Sequence, residues 1–311
     1  MRVLVVCSGN SGKVSPFILE QAEALMGLGV EIDFFLINKK GILGYLHERK
    51  KLLFKIYQFS PDLIHSHYGL SGLFSCLQQN VPVISTYHGS DINNRGVFLF
   101  SLISILLSKK NIFVSERIYL KAFTFYKLIG FKRFFTKKSI IIPCGVDLEL
   151  FCSIEKNDAR LKLGLDIEKK YVLFAGSFDN RVKNAPLARN VIELLNNVEL
   201  LELKFYTRLQ VVYLLNAVDC LLMTSLSEGS PQIVKEALSC GCPIVSVDVG
   251  DVKELILGLE ECAVCSYEPK EISIKLNSIL RNGIRINGRD LLERREMGLR
   301  QVAQRIIKLY N

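Results

Sequence analysis

The stretch from residue 219 to residue 247 constrains the fold more than any other part of the chain. It contains two apolar runs, 219–225 and 243–247, each short and without polar alternation, as in strands that are covered on both faces. The segment between them, 228–236, reads EGSPQIVKE and has the residue types of a helix start. A strand, a helix and a second strand in this order predict a βαβ unit, and hence an α/β fold with a parallel sheet.

Two carboxylates flank this predicted helix start. Glu228 precedes it, and Glu236 lies within the helix, about one turn beyond Gln232 and on the same side. Gly229 lets a ligand approach the backbone, Ser230 is expected as the N-cap, and Pro231 as the first helical residue. N–H groups at a helix start favour anionic or hydroxyl-rich ligands, so the pattern predicts a ligand with sugar hydroxyls and a phosphate. Spacing alone is equally consistent with a solvated acidic first turn.

Strands and helices alternate along both halves of the chain. Predicted strands of the first half are 2–7, 31–38, 62–67, 83–88, 111–115 and 139–143. Predicted strands of the second half are 172–175, 199–204, 219–223, 244–247 and 262–264, and a helix is predicted over 289–309. We therefore expect a first domain at 1–150, a second at 151–290 and a C-terminal helix at 291–311.

Five segments, in order along the chain, closely resemble the retaining glycosyltransferases of family 4. They are PDLIHSHYGLSG (61–72), TYHGSDIN (86–93), IIPCGVDLELF (141–151), VLFAGSFDNRVKNAPLA (172–188) and SEGSPQIVKEALSCGCPIVSVDVGDVKELI (227–256). Glu228 and Glu236 match the E-x7-E motif of that family. The resemblance implies a GT-B fold, in which two Rossmann-like domains face each other across a cleft and the last helix crosses back to the first domain.

The resemblance also implies roles for individual residues of the second half. Lys183 would neutralise the diphosphate of a nucleotide sugar, and Glu236 would bind the ribose hydroxyls. Glu228 and the backbone of Gly229, Ser230, Pro231 and Gln232 would hold the donor sugar. The loop at Tyr206 and Thr207 is a candidate to hold the nucleotide base through its backbone. Ser177 stands where many relatives have an arginine, and Arg181 is a candidate to supply that second positive charge.

In the first half, His88 matches the HG motif of the family and would contact the sugar near the reacting carbon. The loop with Gly9, Asn10 and Gly12 would border the cleft as an acceptor or phosphate loop, although a tight turn explains these glycines equally well. His65 and His67 alternate on one strand and are expected to be mainly structural. The dinucleotide fingerprint GxGxxG is absent from this loop, which argues against a dehydrogenase.

Composition limits the partners and the compartment. The chain has a net charge of +9, and basic and apolar residues alternate over 43–59, which predicts contact with an anionic membrane surface or simply a solvated helix face. No nucleic-acid motif accompanies the charge. The first residues read as a strand rather than a signal peptide, so we expect a cytoplasmic protein, peripheral on the inner membrane face. The nine cysteines favour reduced core thiols over a zinc site.

The sequence therefore predicts a hexosyltransferase that uses a nucleotide-diphosphate sugar and a hydroxyl acceptor, with a lipid-linked or surface polysaccharide intermediate as that acceptor. No Asp-x-Asp pair is present, so we expect neither a metal nor another cofactor. Two alternatives share the architecture. A sugar-phosphate epimerase or phosphorylase would release no nucleotide diphosphate in the presence of an acceptor, and a non-catalytic binder would hold the donor without turnover.

Overall fold

The computed structural model describes residues 1–9, 12–39 and 41–310. The chain forms two compact units, and it passes from one to the other twice. Unit 1 contains Met1–Gly145 and the chain from Leu299 onward, and unit 2 contains Val146–Gly298. The divisions thus lie at 145/146 and 298/299, whereas the sequence placed them at 150/151 and 290/291.

Unit 1 is built on a parallel sheet of six strands. The strands are β1 (Arg2–Ser8), β2 (Glu31–Ile37), β3 (Leu63–His67), β4 (Val83–Tyr87), β5 (Lys110–Phe113) and β6 (Ser139–Ile141). Their order across the sheet is β2-β1-β3-β4-β5-β6, and every pair is parallel. All six predicted strands are confirmed to within two residues at each end, because fully apolar runs such as Val3–Cys7 are buried on both faces.

Among the described residues, eight helices connect these strands before the chain first leaves unit 1. They are α1 (Pro16–Met26), α2 (Gly41–His47), α3 (Arg49–Phe59), α4 (Gly69–Cys76), α5 (Ser90–Asn93), α6 (Arg95–Leu107), α7 (Glu116–Leu128) and α8 (Lys132–Lys138). Pro16 occupies the first helical position of α1, as its fixed φ angle favours.

Unit 2 contains a second parallel sheet, of five strands. The strands are β7 (Lys170–Phe174), β8 (Val198–Glu202), β9 (Cys220–Met223), β10 (Ile244–Val247) and β11 (Ala263–Cys265), in the order β11-β10-β9-β7-β8. The helices are α9 (Lys156–Leu163), α10 (Ala185–Glu193), α11 (Arg208–Ala217), α12 (Gln232–Ser239), α13 (Val252–Leu255), α14 (Pro269–Asn282) and α15 (Gly288–Arg294), with a 3-10 turn at Arg181–Lys183. All five predicted strands are confirmed.

The last helix, α16 (Leu299–Tyr310), belongs to unit 1 and packs on α1. The prediction of one helix from 289 to 309 is wrong, because α15 ends at Arg294 and the chain turns before α16 begins. Glu296 adopts a left-handed φ of 53°, which a continuous helix does not allow. The turn also lets Gly298 pair with Val146, beside the point where the chain first enters unit 2.

Both sheets have a point at which the strand order reverses. In unit 1 it lies between β1 and β3, and in unit 2 between β7 and β9. In open α/β sheets, ligands bind outside the carboxyl ends of the two strands that flank such a point. Among the described residues, no helix combines the length and the apolar character that a bilayer crossing needs.

Candidate functional site

In unit 2, the loops that follow β7 and β9 are bonded to each other at the reversal point. The hydroxyl of Thr224, just after β9, donates to the carbonyls of Lys183 (2.9 Å) and Asn184 (3.0 Å). The N–H of Leu226 donates to the carbonyl of Val182 at 2.8 Å. The 3-10 turn that carries Lys183 is therefore held against the carboxyl end of β9.

Lys183 and Glu228 form an ion pair at this point. The Nζ atom of Lys183 lies 2.6 Å from Oε1 of Glu228, and both side chains are partly exposed. Gly176, directly after β7, lets the lysine side chain pass, because a Cβ at this position would lie 2.7 Å from Cγ of Lys183. The structure thus brings together a cation and a carboxylate that sequence reasoning assigned to one site.

The helix start predicted near Ser230 is present, but it is displaced by one residue. Helix α12 begins at Gln232 with Pro231 at the N-cap position, so the prediction of Ser230 as N-cap is wrong. The extended backbone of Pro231, with ψ of 118°, delays the first helical turn. Gly250 packs beneath this segment, where a Cβ would lie 3.1 Å from the carbonyl of Gly229 and 3.1 Å from Cβ of Glu228.

Glu236 lies in α12 with its carboxyl group buried. Oε1 of Glu236 accepts a hydrogen bond from Nη2 of Arg208 at 2.8 Å, and the guanidinium of Arg208 also stacks over Phe151 at 4.7 Å. Burial raises the pKa of Glu236, while the Arg208 charge and hydrogen bond act in the opposite direction. Glu236 is therefore a buried acid whose charged form is favoured mainly by Arg208 and, to a smaller extent, by Lys235.

The proposed base loop lies next to that arginine. Thr207 caps α11, where its N–H donates to the side-chain oxygen of Gln210 (2.9 Å) and its carbonyl accepts from Val211 (3.0 Å). Both backbone groups of Thr207 are thus engaged at the helix end. Tyr206 is partly exposed, and Phe205 before it has a left-handed φ of 63° and an exposed ring.

Ser177 and Arg181, the two positions considered for a second positive charge, have different surroundings. The hydroxyl of Ser177 bonds to Glu202 at 2.9 Å, so this position is fixed to the end of β8. Arg181 opens the 3-10 turn that Lys183 closes, and its side chain is exposed. The turn is stabilised by Asn180, whose side chain accepts from the N–H of Val182 at 3.1 Å.

In unit 1, His88 follows β4 at the same edge of the sheet as the end of β3. Its Nε2 lies 3.0 Å from Nδ1 of His67, and its Nδ1 lies 3.7 Å from Sγ of Cys144. The ring also packs against Phe17 of α1 at 5.0 Å between centroids. Burial lowers the pKa of His67 well below its ordinary value, with smaller contributions from His65 and His88. His67 is therefore neutral and directly bonded to His88.

Asp91 fixes the backbone around His88. Its carboxylate accepts from the N–H groups of Gly69 (3.0 Å), His88 (3.1 Å) and Gly89 (2.9 Å). Burial raises the pKa of Asp91 to about 6, against the effect of these backbone hydrogen bonds. Gly89 has a φ of 114°, a backbone conformation that favours glycine.

Two glycines of the amino-terminal loop, Gly9 and Gly12, are bonded to each other at the end of β1. The N–H of Gly12 donates to the carbonyl of Gly9 at 2.8 Å, and Gly12 has a φ of 76°. Gly9 lies against Asn38, leaving no room for a Cβ. Asn10, the third residue assigned to this loop, lies outside the described residues.

Within the part of the chain that the structure describes, no three His, Cys, Asp or Glu side chains are grouped so that they could hold a metal ion. All nine cysteines are free thiols, and burial raises the pKa of Cys7 to about 11 and that of Cys262 to about 12. Such buried thiols are poor nucleophiles and poor metal ligands. The expectation that the reaction needs no metal stays a prediction.

Comparisons with known proteins agree with this geometry. A model described as Glycosyltransferase Family 4 matches residues 2–150, and a model described as Glycosyl transferases group 1 matches residues 169–282. The chain belongs to the family 4 glycosyltransferases. The second match includes the loop after β7, Glu228 and Glu236, so it covers the reversal point of unit 2.

Curated relatives are glycosyltransferases. TuaC of Bacillus subtilis, provisionally named a teichuronic acid biosynthesis glycosyltransferase, is 27% identical over 224 residues, which are 63% of this chain and 55% of TuaC. A D-inositol 3-phosphate glycosyltransferase of Mycobacterium marinum is 23% identical over 266 residues, which are 73% of this chain and 57% of that enzyme. The chain thus spans little more than half the length of these two relatives.

Solved structures establish the fold. Sucrose-phosphate synthase of Thermosynechococcus elongatus has a TM-score of 0.81 at 15% identity and covers 100% of this chain and 98% of its own. HepE of Anabaena, solved with UDP-glucose, has a TM-score of 0.74 at 16% identity and covers 99% of both chains. The chain has the GT-B fold.

Sequence reasoning missed Arg208 as a partner of Glu236 and did not predict the contact between His67 and His88. Arg208 and Glu236 are 28 positions apart in the sequence, and the packing of α11 against α12 brings them together. One signal was available for His67: it ends a strand, as His88 does, and strand ends of a parallel sheet share an edge.

Proposed function

We propose that this chain transfers a sugar from a nucleotide-diphosphate sugar to a hydroxyl acceptor with retention of configuration. The observation that carries the proposal is the Lys183–Glu228 ion pair, which lies at the reversal point of unit 2 beside the start of α12. A cation, a carboxylate and a helix start together suit a ligand that has both a phosphate and hydroxyl groups.

Donor binding would exchange partners within this cluster. The diphosphate would replace Glu228 as the partner of Lys183, and the released carboxylate would accept hydrogen bonds from the donor sugar. The backbone from Gly229 to Gln232 would hold the same sugar, and Glu236 would accept from the ribose hydroxyls through its second oxygen. Arg181 would add positive charge as the leaving diphosphate develops its own.

The transfer step is a substitution at the anomeric carbon. The acceptor oxygen forms a bond to that carbon while the bond from the carbon to the phosphate oxygen breaks. The hydroxyl proton passes to the leaving phosphate, which departs as a nucleoside diphosphate. In this proposal Lys183, Arg181 and the helix start stabilise the diphosphate without a metal. His88, held by Asp91 and His67, is the histidine that family resemblance assigns to the transferred sugar.

The relatives suggest the substrates. The HepE structure holds UDP-glucose, so we propose a hexose donor and place UDP sugars first in a search. TuaC is named for teichuronic acid biosynthesis, which supports a polysaccharide or lipid-linked intermediate as the acceptor. An acceptor of this kind would place the protein in the cytoplasm, at the membrane surface.

An acceptor-dependent assay tests this proposal. The protein is incubated with a panel of UDP-, GDP-, ADP- and TDP-hexoses, with and without alkyl glycosides and a polyprenyl-diphosphate-linked sugar. We expect one donor to release its nucleoside diphosphate only when an acceptor is present, and an α-linked donor to give an α-linked product by proton NMR. Release of a sugar epimer without a new glycosidic bond, or donor binding without turnover, would contradict the proposal.

A further inference from the structure

Helix α6 (Arg95–Leu107) exposes an apolar face to solvent, whereas its buried side combines Ser101 and Ser104 with Leu102 and Ile105. Its exposed residues include four large apolar side chains: Leu99, Ile103, Leu106 and Leu107, which are between 39% and 59% exposed. At 100° per residue these four cover one face about 100° wide. Its serines, Ser101 and Ser104, are fully buried. A surface helix in a water-soluble domain normally exposes polar side chains.

The buried serines have a structural cause. They pack against α4, where a Cβ on Gly69 would overlap Ser101 and a Cβ on Gly72 would overlap Ser104. Ser101 donates to the carbonyl of Asp91 at 2.8 Å, and Ser104 accepts from the hydroxyl of Tyr87 at 3.0 Å. Two small-residue surfaces therefore bring the helices close, which turns the leucines outward.

The segment around α6 carries the basic charge of the chain. Residues 92–142 contain ten Lys and Arg and one acid, Glu116, so the segment has a net charge of 10 − 1 = +9. The whole chain has 40 − 31 = +9, so the remaining residues are together neutral. The ten cations are Arg95, Lys109, Lys110, Arg117, Lys121, Lys127, Lys132, Arg133, Lys137 and Lys138.

Two lysines of this segment contact α6 and the short helix α5 that precedes it. Nζ of Lys138 donates to the carbonyl of Leu106 at 3.0 Å, and Nζ of Lys121 lies 3.3 Å from the side-chain oxygen of Asn93. Arg95 lies at the border of the apolar face, about 20° beyond Leu106 on the helical wheel, and its charge lowers the pKa of Lys121 after the larger effect of burial. These lysines bond to neutral oxygens, so their charge remains available to an anionic partner.

We propose that the outer face of α6 inserts into the headgroup region of an anionic bilayer, with these cations binding lipid phosphates. Leucines supply the apolar burial and lysines the attraction to anionic lipid, which is the pattern of an interfacial helix. The helix has 13 residues, so it is about 20 Å long and lies in the membrane surface. A nucleic acid would use the cations but would leave the leucines exposed.

The inference moves the expected membrane contact away from residues 43–59. In helix α3 (Arg49–Phe59), Lys51 pairs with Glu48 at 3.1 Å and Lys55 pairs with Asp33. These carboxylates pair with two of the four Lys and Arg residues in the segment from which the sequence predicted lipid contact. The proposal goes beyond the transfer reaction and does not depend on it.

Vesicle flotation without any nucleotide sugar tests the proposal. Wild type should float with vesicles of phosphatidylcholine containing 30% phosphatidylglycerol and remain unbound with pure phosphatidylcholine. The variant L99S/I103S/L106S/L107S should lower the partition coefficient by about tenfold or more, because the apolar insertion is lost. The variant K109A/K121A should lower it by about fivefold per removed cation. The control L161S/I274S changes two residues of unit 2 that are 65% and 68% exposed, and it should float as wild type does.

Three outcomes would overturn the proposal. They are equal binding to neutral and anionic vesicles, wild-type flotation by the α6 variant, and a wild-type dimer in light scattering that I103E converts to a monomer. The last result would assign the α6 face to a second copy of the chain. Near-ultraviolet circular dichroism of each variant confirms that the fold is retained.

Discussion

The carboxyl group of Glu236 is buried beside a single guanidinium. Burial disfavours its charged form and raises its pKa above the ordinary 4.5, whereas Arg208 favours the charged form. A charged Glu236 is the stronger acceptor for ribose hydroxyls. In the proposed function, Arg208 is a positioning residue that holds one carboxylate oxygen of Glu236, while the second oxygen binds the ligand.

The pH dependence of stability should reveal this coupling. Because the folded state raises the pKa of Glu236, stability falls as the pH rises from about 4.5 through the folded pKa. Arg208→Gln raises that pKa further and extends the loss to higher pH. We expect the melting temperature of R208Q to lie about 5 °C or more below wild type at pH 7.5, and the gap to narrow towards pH 4.5.

Arg208→Lys is the matched control, since it keeps a positive charge near the carboxylate. We expect a smaller gap with the same direction of pH dependence. If the difference in melting temperature between wild type and R208Q stays constant from pH 4.5 to pH 7.5, only packing against Phe151 was lost. Arg208 would then not control the charge of Glu236.

At this scale the sequence predicted acids and cations better than their partners. Lys183 and Glu228 were assigned to one site from motifs alone, and the structure places their charged atoms 2.6 Å apart. Arg208 was missed because its position next to Glu236 depends on how α11 packs against α12. Ser230 was misplaced because the extended Pro231 begins the helix one residue later.

At the scale of elements, α16 is anchored to unit 1 through one buried hydrogen bond as well as apolar packing. The hydroxyl of Tyr310 lies 2.7 Å from Nδ1 of His65, whose Nε2 lies 2.8 Å from the hydroxyl of Thr86. Burial lowers the pKa of His65 to about 4, so the ring is neutral at pH 7 and both nitrogens are bonded. The last residues of the chain thereby contact the centre of the first sheet.

Removing the Tyr310 hydroxyl should destabilise unit 1. Tyr310→Phe leaves a buried ring nitrogen of His65 without its partner, which costs about 1–3 kcal/mol. Urea unfolding at pH 7.5 measures this change. Tyr57→Phe on α3 is the matched control, because that tyrosine is 82% exposed, and it should change the free energy of unfolding by less than about 0.5 kcal/mol. Equal stability of the two variants would show that the Tyr310–His65 hydrogen bond does not stabilise the packing of α16.

Strands and helices with a clear hydrophobic pattern could be predicted from the sequence. The residues at which helices end, and the side of a helix that is exposed, could not. The central strands, such as β1, β3 and β9, follow from runs that are buried on both sides. The left-handed residue in the break before α16 is Glu296 and not a glycine, so the sequence did not indicate the break. The outward face of α6 depends on Gly69 and Gly72 of another helix, so the apolar run 97–107 gave no sign of it.

At the scale of the whole molecule, the chain divides its tasks between two α/β units. Unit 2 carries the clustered charges that suit a nucleotide-diphosphate sugar, and unit 1 carries the buried histidines and the whole net positive charge in one segment. The GT-B fold was predictable because five motifs occur in the family order. The location of the basic surface was not, because it depends on which lysines find carboxylates in the folded unit.

The central claim is that the reversal point of unit 2 binds the diphosphate of a nucleotide sugar through Lys183. The most direct measurement is a calorimetric titration of wild type, K183A and K169A with UDP-glucose, or with whichever nucleotide sugar stabilises the wild type most in a thermal-shift panel. Lys169 is the matched control, because it also pairs with a glutamate, Glu199 at 3.5 Å, but lies just before β7 at the opposite edge of the same sheet. We expect K183A to weaken binding by about tenfold to a hundredfold, as the loss of a charge-assisted contact implies, and K169A to bind as wild type does. Equal affinities of K183A and K169A would contradict the claim.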